Sequence, residues 1–338
     1  MRADPVVLVK FDVKTNRSVL VGIMRDLYHK LPPHGLMFHH FHDAFHTAGQ
    51  GAINAEELIE LIEFIGRHRI LGAEEWFVLH DAGELRSGDT CITFDDGLRC
   101  QYDVAAPVLR KYGIKAFFFV NTGVSTSDGY RLEFYRYFRT VAFSKVDEFY
   151  RAFMAIVYSS EYGEKVREAL CGFSPSDYLK DSPFYTEGDR VFRYLRDDVL
   201  GPTSYFSLMD TMAASYGYVC DNAMKSRLWM GKEQLRNLSR EGHIIGLHSH
   251  THPTALKRLS SHDQKFEYLC NSNALADILC KPPVCMSHPC NSYSDETLDI
   301  LRNLGIRLGF RANMVDGYGS GLEYRREDHA NLLKEMKG

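Results

Sequence analysis

Two short stretches of this chain carry side chains whose types and spacing suit hydrolytic chemistry. The first is Cys91-Ile92-Thr93-Phe94-Asp95-Asp96-Gly97, an apolar run that ends in adjacent carboxylates and a glycine. A buried parallel strand looks like this when it delivers side chains to the open end of an α/β sheet or barrel, where sites are built. Neighbouring residues on an extended chain point to opposite faces, so one aspartate can hold a metal while the other meets water or substrate. Taken alone, the dipeptide reads more simply as a strand followed by an Asp-Gly turn. The second stretch, His248-Ser249-His250-Thr251-His252-Pro253, reverses that preference. His248 and His252 fall on one side whether the segment is extended or helical, and only the direction of His250 depends on conformation. Two imidazoles and a carboxylate, for which Asp96 is the natural choice, suit zinc, iron or another divalent transition metal and leave positions open for water. Such a metal acidifies water and polarises a carbonyl, while an uncoordinated Asp95 takes the proton as general base. Hydrolysis of an acyl group is the reaction these parts suit.

The elements that must hold these residues follow an α/β order. Leu36 to Asp43 reads as a first core strand running into a histidine-rich loop, and Asn54 caps a helix over Ala55 to Ile65. After the strand ending at Asp95, a helix from Tyr102 to Tyr112 contains Pro107 and closes at Gly113, and Ile114 to Val120 forms another buried strand. Regular pattern resumes with a helix from Lys232 to Leu238 and the strand His243 to Leu247, which ends in the histidine motif. A helix from Ser260 to Leu279, a short strand over Pro282 to Met286, a helix from Asp295 to Leu304 and a strand over Arg307 to Phe310 complete the series. Residues 1–30 show no clear period. The histidines at 34, 39, 40, 42 and 46 form a rival metal-binding cluster, with a wet loop as the plainer reading.

The 338 residues are 45% hydrophobic, enough to bury a large core. A net charge of -4 and a pI near 6.4 leave no basic footprint for nucleic acid. Small molecules or glycans are the expected partners. Eight scattered cysteines without a Cys-x-x-Cys pair read as reduced thiols. With neither a signal-peptide pattern nor an apolar run of membrane-spanning length, they set the expectation of a cytoplasmic protein.

Three motifs together resemble the polysaccharide deacetylases of the NodB-homology class. They are Thr93-Phe94-Asp95-Asp96-Gly97, His248 to His252 preceded by Glu241-Gly242-His243-Ile244-Ile245-Gly246, and His288-Pro289-Cys290-Asn291-Ser292-Tyr293 followed by Asp295-Glu296-Thr297-Leu298. The resemblance covers roughly residues 36–122 and 228–313. It implies a distorted (β/α) barrel and metal-dependent removal of N- or O-acyl groups from sugars. By motif position Asp95 is the catalytic base, Asp96, His248 and His252 hold one divalent metal ion, zinc first, and Pro289-Cys290 forms the loop whose backbone N–H binds the oxyanion. His288 belongs to that loop or supports it by hydrogen bonding. The family's arginine near the third motif is missing, Ser287-His288 standing in its place, so Asp95 must be oriented from elsewhere. The late histidine that serves the family as general acid has no clean counterpart, and His329 and His39 are the two candidates.

The expectation is therefore one NodB-like domain over 1–338 with a mainly helical insertion over 126–227. Its activity would be removal of an acetyl or formyl group from an amino sugar, carried on a nucleotide or lipid as a surface-glycan precursor. The rivals are an inactive glycan-binding relative and an amidase acting on a non-sugar amide. The insertion is either a substrate wall, in which case exposed members of Tyr135, Arg136, Tyr137, Arg139, Arg193, Tyr194 and Arg196 contact substrate, or a packing surface for the barrel or a homo-oligomer.

Overall fold

The computed structural model describes Gly22 and residues 25–125, 131–180, 185–315 and 319–337. Most of the 1–30 lead-in and the first residues of the 126–227 segment lie outside these. Seven strands, β1 (His34–Phe38), β2 (Thr90–Phe94), β3 (Phe117–Val120), β4 (Ile244–Leu247), β5 (Cys285–Ser287), β6 (Leu308–Phe310) and β7 (Arg326–Asp328), form one sheet in the order β6-β5-β4-β3-β2-β1-β7. Every pairing is parallel. Residues 324–326 carry the chain from one sheet edge to the other. The Tyr324 N–H donates to Gly309 O at 2.9 Å, and the Gly35 N–H donates to Arg325 O at 3.0 Å. The sheet thus curls into the nearly closed barrel that the sequence predicts, with helices around it. A Cβ on Gly309 would lie 2.4 Å from Leu322 O, so this closure requires glycine.

All five residues of β1 and of β2 are buried, as strands covered on both faces must be. Cys91, Phe117, Phe119, Cys285, Leu308 and Phe310 form one apolar cluster with Trp76. The alternate residues Ile92, Phe94, Phe118, Val120 and Ile245 join a larger cluster with the surrounding helices. The first set fills the barrel and the second faces outward, following the two-residue period of a strand. Asp95 continues the inward parity of Cys91 and Thr93, which places its carboxylate at the mouth of the barrel.

The predicted helices appear with small shifts. Asn54 caps helix Ala55–Ile65 by accepting the Glu57 N–H, and Pro107 sits just inside helix Ala106–Tyr112. A wider turn over Gln101–Ala105 precedes it and accommodates the residue without an N–H. Helix Ala73–Ala82 and strand β7 have no counterpart in the sequence reading. The helix is only weakly amphipathic, and β7 is a charged run, Arg326-Glu327-Asp328, without apolar alternation.

Between β3 and β4 lie helices Leu132–Ala142, Val146–Tyr158, Gly163–Leu170, Glu187–Tyr194, Gly201–Ser215 and Asn222–Leu228. Their aromatic stripes pack mostly on one another. Phe153 and Phe192 meet edge to face at 5.0 Å, and Phe138 contacts Phe143 and Tyr218. Helical spacing in these segments therefore marks a core of the insertion's own, continuous with the outer layer of the barrel.

Candidate active site

At the C-terminal mouth of the barrel, β2 and β4 deliver the two motifs to one place. Asp96 Oδ1 lies 3.5 Å from His248 Nε2 and 3.4 Å from His252 Nε2, and the two imidazole nitrogens are 3.2 Å apart. Four ligands set tetrahedrally around zinc at bond lengths near 2.0–2.1 Å are about 3.3 Å apart, so this near-equilateral triangle has the size of one face of such a site. Among the described residues Asp96 Oδ1 is buried without a hydrogen-bond partner, and these three side chains are the one group of their kind close enough to share a metal ion. The donor set and the orphaned oxygen both fit a divalent cation.

The backbone bends sharply to achieve this. Asp96, Ser249 and His252 all adopt positive φ, at 75°, 59° and 56°. Strain of this kind persists only where neighbouring bonds fix it. Asn121 donates to Asp96 O at 3.2 Å, and Gln101 Nε2 donates to both Asp95 O and His39 O. On the histidine side, helix Ser261–Leu279 supplies two clamps one turn apart. Asn271 Oδ1 accepts the His248 N–H at 2.9 Å, and Glu267 accepts the N–H groups of His250 and Thr251. His248 Nδ1 donates to Ser287 O at 3.0 Å, which leaves Nε2 free to face the metal position. The His250 ring turns instead to Thr122 Oγ1 at 2.9 Å and takes no part in the triangle.

Asp95 sits beside the triangle, its carboxylate 3.9 Å from His248 Nε2. Its orienting group is Arg326 of β7, whose Nη1 and Nη2 each donate to one carboxylate oxygen at 2.7 Å. Arg326 is fully buried, its Nε donating to Arg311 O, and Ser287 Oγ adds a hydrogen bond to Asp95 at 3.1 Å. Sequence reasoning missed Arg326. The one available signal is chemical: a buried aspartate at a strand end needs a fixed cation, and the charged residues 325–328 beside His329 belong to no element that the pattern predicts.

The charges reinforce one another. Burial pushes the Asp95 carboxyl up, but Arg326 and then His248 outweigh it and hold the group down to about 2. Burial likewise opposes ionisation of Asp96, and His248 and His252 hold it below the carboxylate range. Burial lowers His248 as well, yet Asp95 and Asp96 win and raise it. For His252 burial dominates and lowers the imidazole to about 4. Two ionised carboxylates that draw His248 toward its protonated form mark a place where positive charge is favoured, as it is at a cation site.

The remaining expected residues divide. His39, at the end of β1, points into the cavity with Nε2 3.9 Å from Asp95. His329 does not reach it. Its ring stacks on Phe38, and its two nitrogens lie 3.1 Å from Met37 O and Gly51 O, so the first residue of helix His329–Lys337 serves as a buried brace. His288 lines the cavity floor beside Cys290, but its Nε2 donates to Leu322 O and its ring stacks on Tyr293 at 3.9 Å. Burial lowers it to about 3, which fixes it as a neutral support. Pro289 is buried, Cys290 and Asn291 adopt left-handed φ of 49° and 54°, and Cys290 lines the same cavity as Asp96, His248 and His252. The histidine-rich loop does not gather into a second metal site. His40 pairs with Glu133 at 2.7 Å and His46 with Asp103 at 3.1 Å.

A cavity of about 270 Å³ opens above these groups. The barrel makes its floor, and the inserted helices make its wall with Tyr135, Arg136, Arg139, Arg193 and Arg196. Tyr137 and Tyr194 do not line it. Tyr194 stacks on Phe173 at 4.0 Å, and the Tyr137 ring carries the Arg227 guanidinium at 5.2 Å.

The model of the polysaccharide deacetylase family matches residues 82–137 and 200–309 of this chain. Among solved structures, IcaB from Ammonifex degensii is similar at 15% identity and a TM-score of 0.51, covering 91% of this chain and 97% of that one. A de-N-acetylase from Aggregatibacter actinomycetemcomitans is similar at 13% identity and a TM-score of 0.52, covering 90% and 99%. These likenesses are of fold. No curated protein matches the chain.

Proposed function

Because the chain belongs to the polysaccharide deacetylase family, hydrolases of carbon–nitrogen bonds other than peptide bonds, we propose that it removes an N-acetyl or N-formyl group from an amino sugar with the help of one divalent metal ion. The observation that carries this reading is the Asp96, His248 and His252 triangle with Asp95 held beside it by Arg326. Asp96, His248 and His252 would hold the ion, and zinc is the first choice for a two-imidazole, one-carboxylate set. When bound, the ion supplies Lewis-acid polarisation of the acyl carbonyl and a more acidic water.

The chain's own residues do the rest. Asp95 accepts the proton of the attacking water. Its pairing with Arg326 costs basicity but keeps it ionised and aimed. The Cys290 backbone N–H, on the left-handed loop that lines the cavity, donates to the oxyanion that forms from the acyl carbonyl. His39 gives a proton to the departing amine as the C–N bond breaks, since of the two candidates, His39 and His329, it is the one that faces both the cavity and Asp95. The products are the free amino sugar and the carboxylic acid.

The natural substrate in this reading is an intracellular precursor of a surface glycan. Support comes from the eight free thiols, among them the exposed Cys171, Cys280 and Cys290, which suit a reducing compartment. Purified protein should contain one equivalent of a divalent metal and release acetate or formate from N-acylated hexosamines. Turnover of simple amides alone would return the assignment to a non-sugar amidase, and full metal loading with no turnover of any amide would leave a binding protein.

A further inference from the structure

The four arginines on the cavity wall are not equivalent. Arg136 lies 3.7 Å from Glu133 and donates to Gln50 O. Arg196 makes a two-pronged pair with Asp197, both contacts at 2.7 Å. Arg139 and Arg193 have no carboxylate within ion-pair distance among the described residues. What they have is rings: the Arg193 guanidinium lies 4.1 Å from the Tyr185 ring centre, and that of Arg139 lies 6.0 Å from Phe149. A guanidinium laid against an aromatic face is held in place, while its in-plane N–H donors stay free to point elsewhere.

Two cations left without counter-charges on one cavity wall repel each other, whereas this chain pairs other arginines at the cavity with carboxylates, as in Arg326–Asp95 and Arg196–Asp197. The surplus is local, because the whole chain carries a net charge of -4. It also adjoins the reaction centre, because Arg139 and Arg193 line the same cavity as Asp95, Asp96, His248 and Cys290.

We propose that Arg139 and Arg193 form a subsite for a phosphate group on the substrate, so that the acylated amino sugar is recognised through a phosphodiester or diphosphate attached to it. This rests on the deacylation reading above. Two guanidiniums from two different helices match the charge and the several oxygens of a phosphate linkage better than a lone carboxylate, which one of them would satisfy. The sugar spans from the metal triangle to the wall, and the linkage meets the arginines.

The test uses the metal-loaded enzyme, Arg139→Gln, Arg193→Gln and the double variant, with metal content and melting temperature confirming an intact fold. Four N-acetylhexosamine substrates are compared: a nucleoside diphosphate sugar, a short-chain polyprenyl diphosphate sugar, a neutral oligosaccharide and an oligosaccharide containing a uronic acid. Wild-type kcat/KM should favour at least one phosphate-linked substrate over the neutral one by tenfold or more, and the double variant should lose that preference through KM. The faster of the two phosphate-linked substrates identifies the carrier. Equal rates for neutral and phosphate-linked sugars overturn the proposal, as does a preference for the uronate.

Binding of glucose 1-phosphate, which has no acyl group, is measured separately by calorimetry. A tenfold loss of affinity in the double variant supports the subsite even if no acylated sugar is hydrolysed, in which case the deacylation reading alone fails. Unchanged affinity means the phosphate sits on the metal and not on the arginines, and the subsite is refuted.

Discussion

The floor and the wall of the same cavity are built to opposite rules. On the floor each chemical group is fixed by neighbours: Asp95 by Arg326 and Ser287, His248 by Ser287 O and, through its backbone N–H, Asn271, while Asp96 lies within 3.5 Å of both histidines. These residues are buried and come from strand ends, where the sheet leaves no freedom of position. On the wall the charges come from helices, are half exposed, and in two cases lean on aromatic rings with their donors unspent. A paired charge is committed to the geometry of its partner, whereas an unpaired one keeps its energy for whatever enters. The floor is thus built for one chemistry and the wall for choosing what undergoes it.

If that division holds, the largest effects come from the floor. His248→Ala and His252→Ala each remove one of three donors, and both should lose bound metal and turnover together, read by elemental analysis and acyl-release assay. Retention of metal in both variants would mean that the ion is held elsewhere. Asp95→Asn should keep the metal and lower kcat by about 10² to 10⁴, the range associated with losing a positioned base. Near-normal turnover would break the assignment of roles on the floor.

Arg326→Met leaves a buried carboxylate without its counter-charge, and should cost about 3 to 5 kcal/mol of stability. It should also raise the acid limb of the rate profile, because Asp95 would no longer be held down to about 2. A variant as stable as the wild type, with an unmoved acid limb, would mean that Arg326 neither fixes nor tunes Asp95.

The smallest effect lies away from both regions. His243 is buried under β4, its Nδ1 accepting the Ala116 N–H at 3.0 Å. Burial, helped by Lys115, lowers its pKa to about 4. Because the folded value lies below the unfolded one of about 6.5, the unfolded chain takes up the proton first. This group's contribution is therefore intact above about pH 6.5 and is lost as the pH falls toward 4. His243→Gln, which keeps an acceptor for Ala116, should lessen the decline in melting temperature across that window by up to one proton's worth, about 1.4 kcal/mol per pH unit. Identical slopes in the two proteins would show that His243 does not titrate there.

The sequence alone determined the triangle of Asp96, His248 and His252, because its three donors sit in two short motifs at strand ends. A two-residue strand period places Asp95 and Asp96 on opposite faces, and a spacing of four puts His248 and His252 on one side in any regular conformation. The parallel barrel was legible for the same reason, as strand and helix periods alternate through most of the chain. What those periods do not encode is a contact between distant positions. Arg326 is 231 residues from the aspartate it holds, and it lies in a charged strand that shows no alternation. His329 and His39 are both candidates as letters. Only the closure of the barrel buries the first against Met37 O and Gly51 O and turns the second toward Asp95. Helical spacing likewise gave the same aromatic and arginine pattern to Tyr194, which packs inside the insertion, and to Arg193, which faces the cavity. That choice depends on which side of each helix the barrel mouth occupies, and tertiary packing alone sets it.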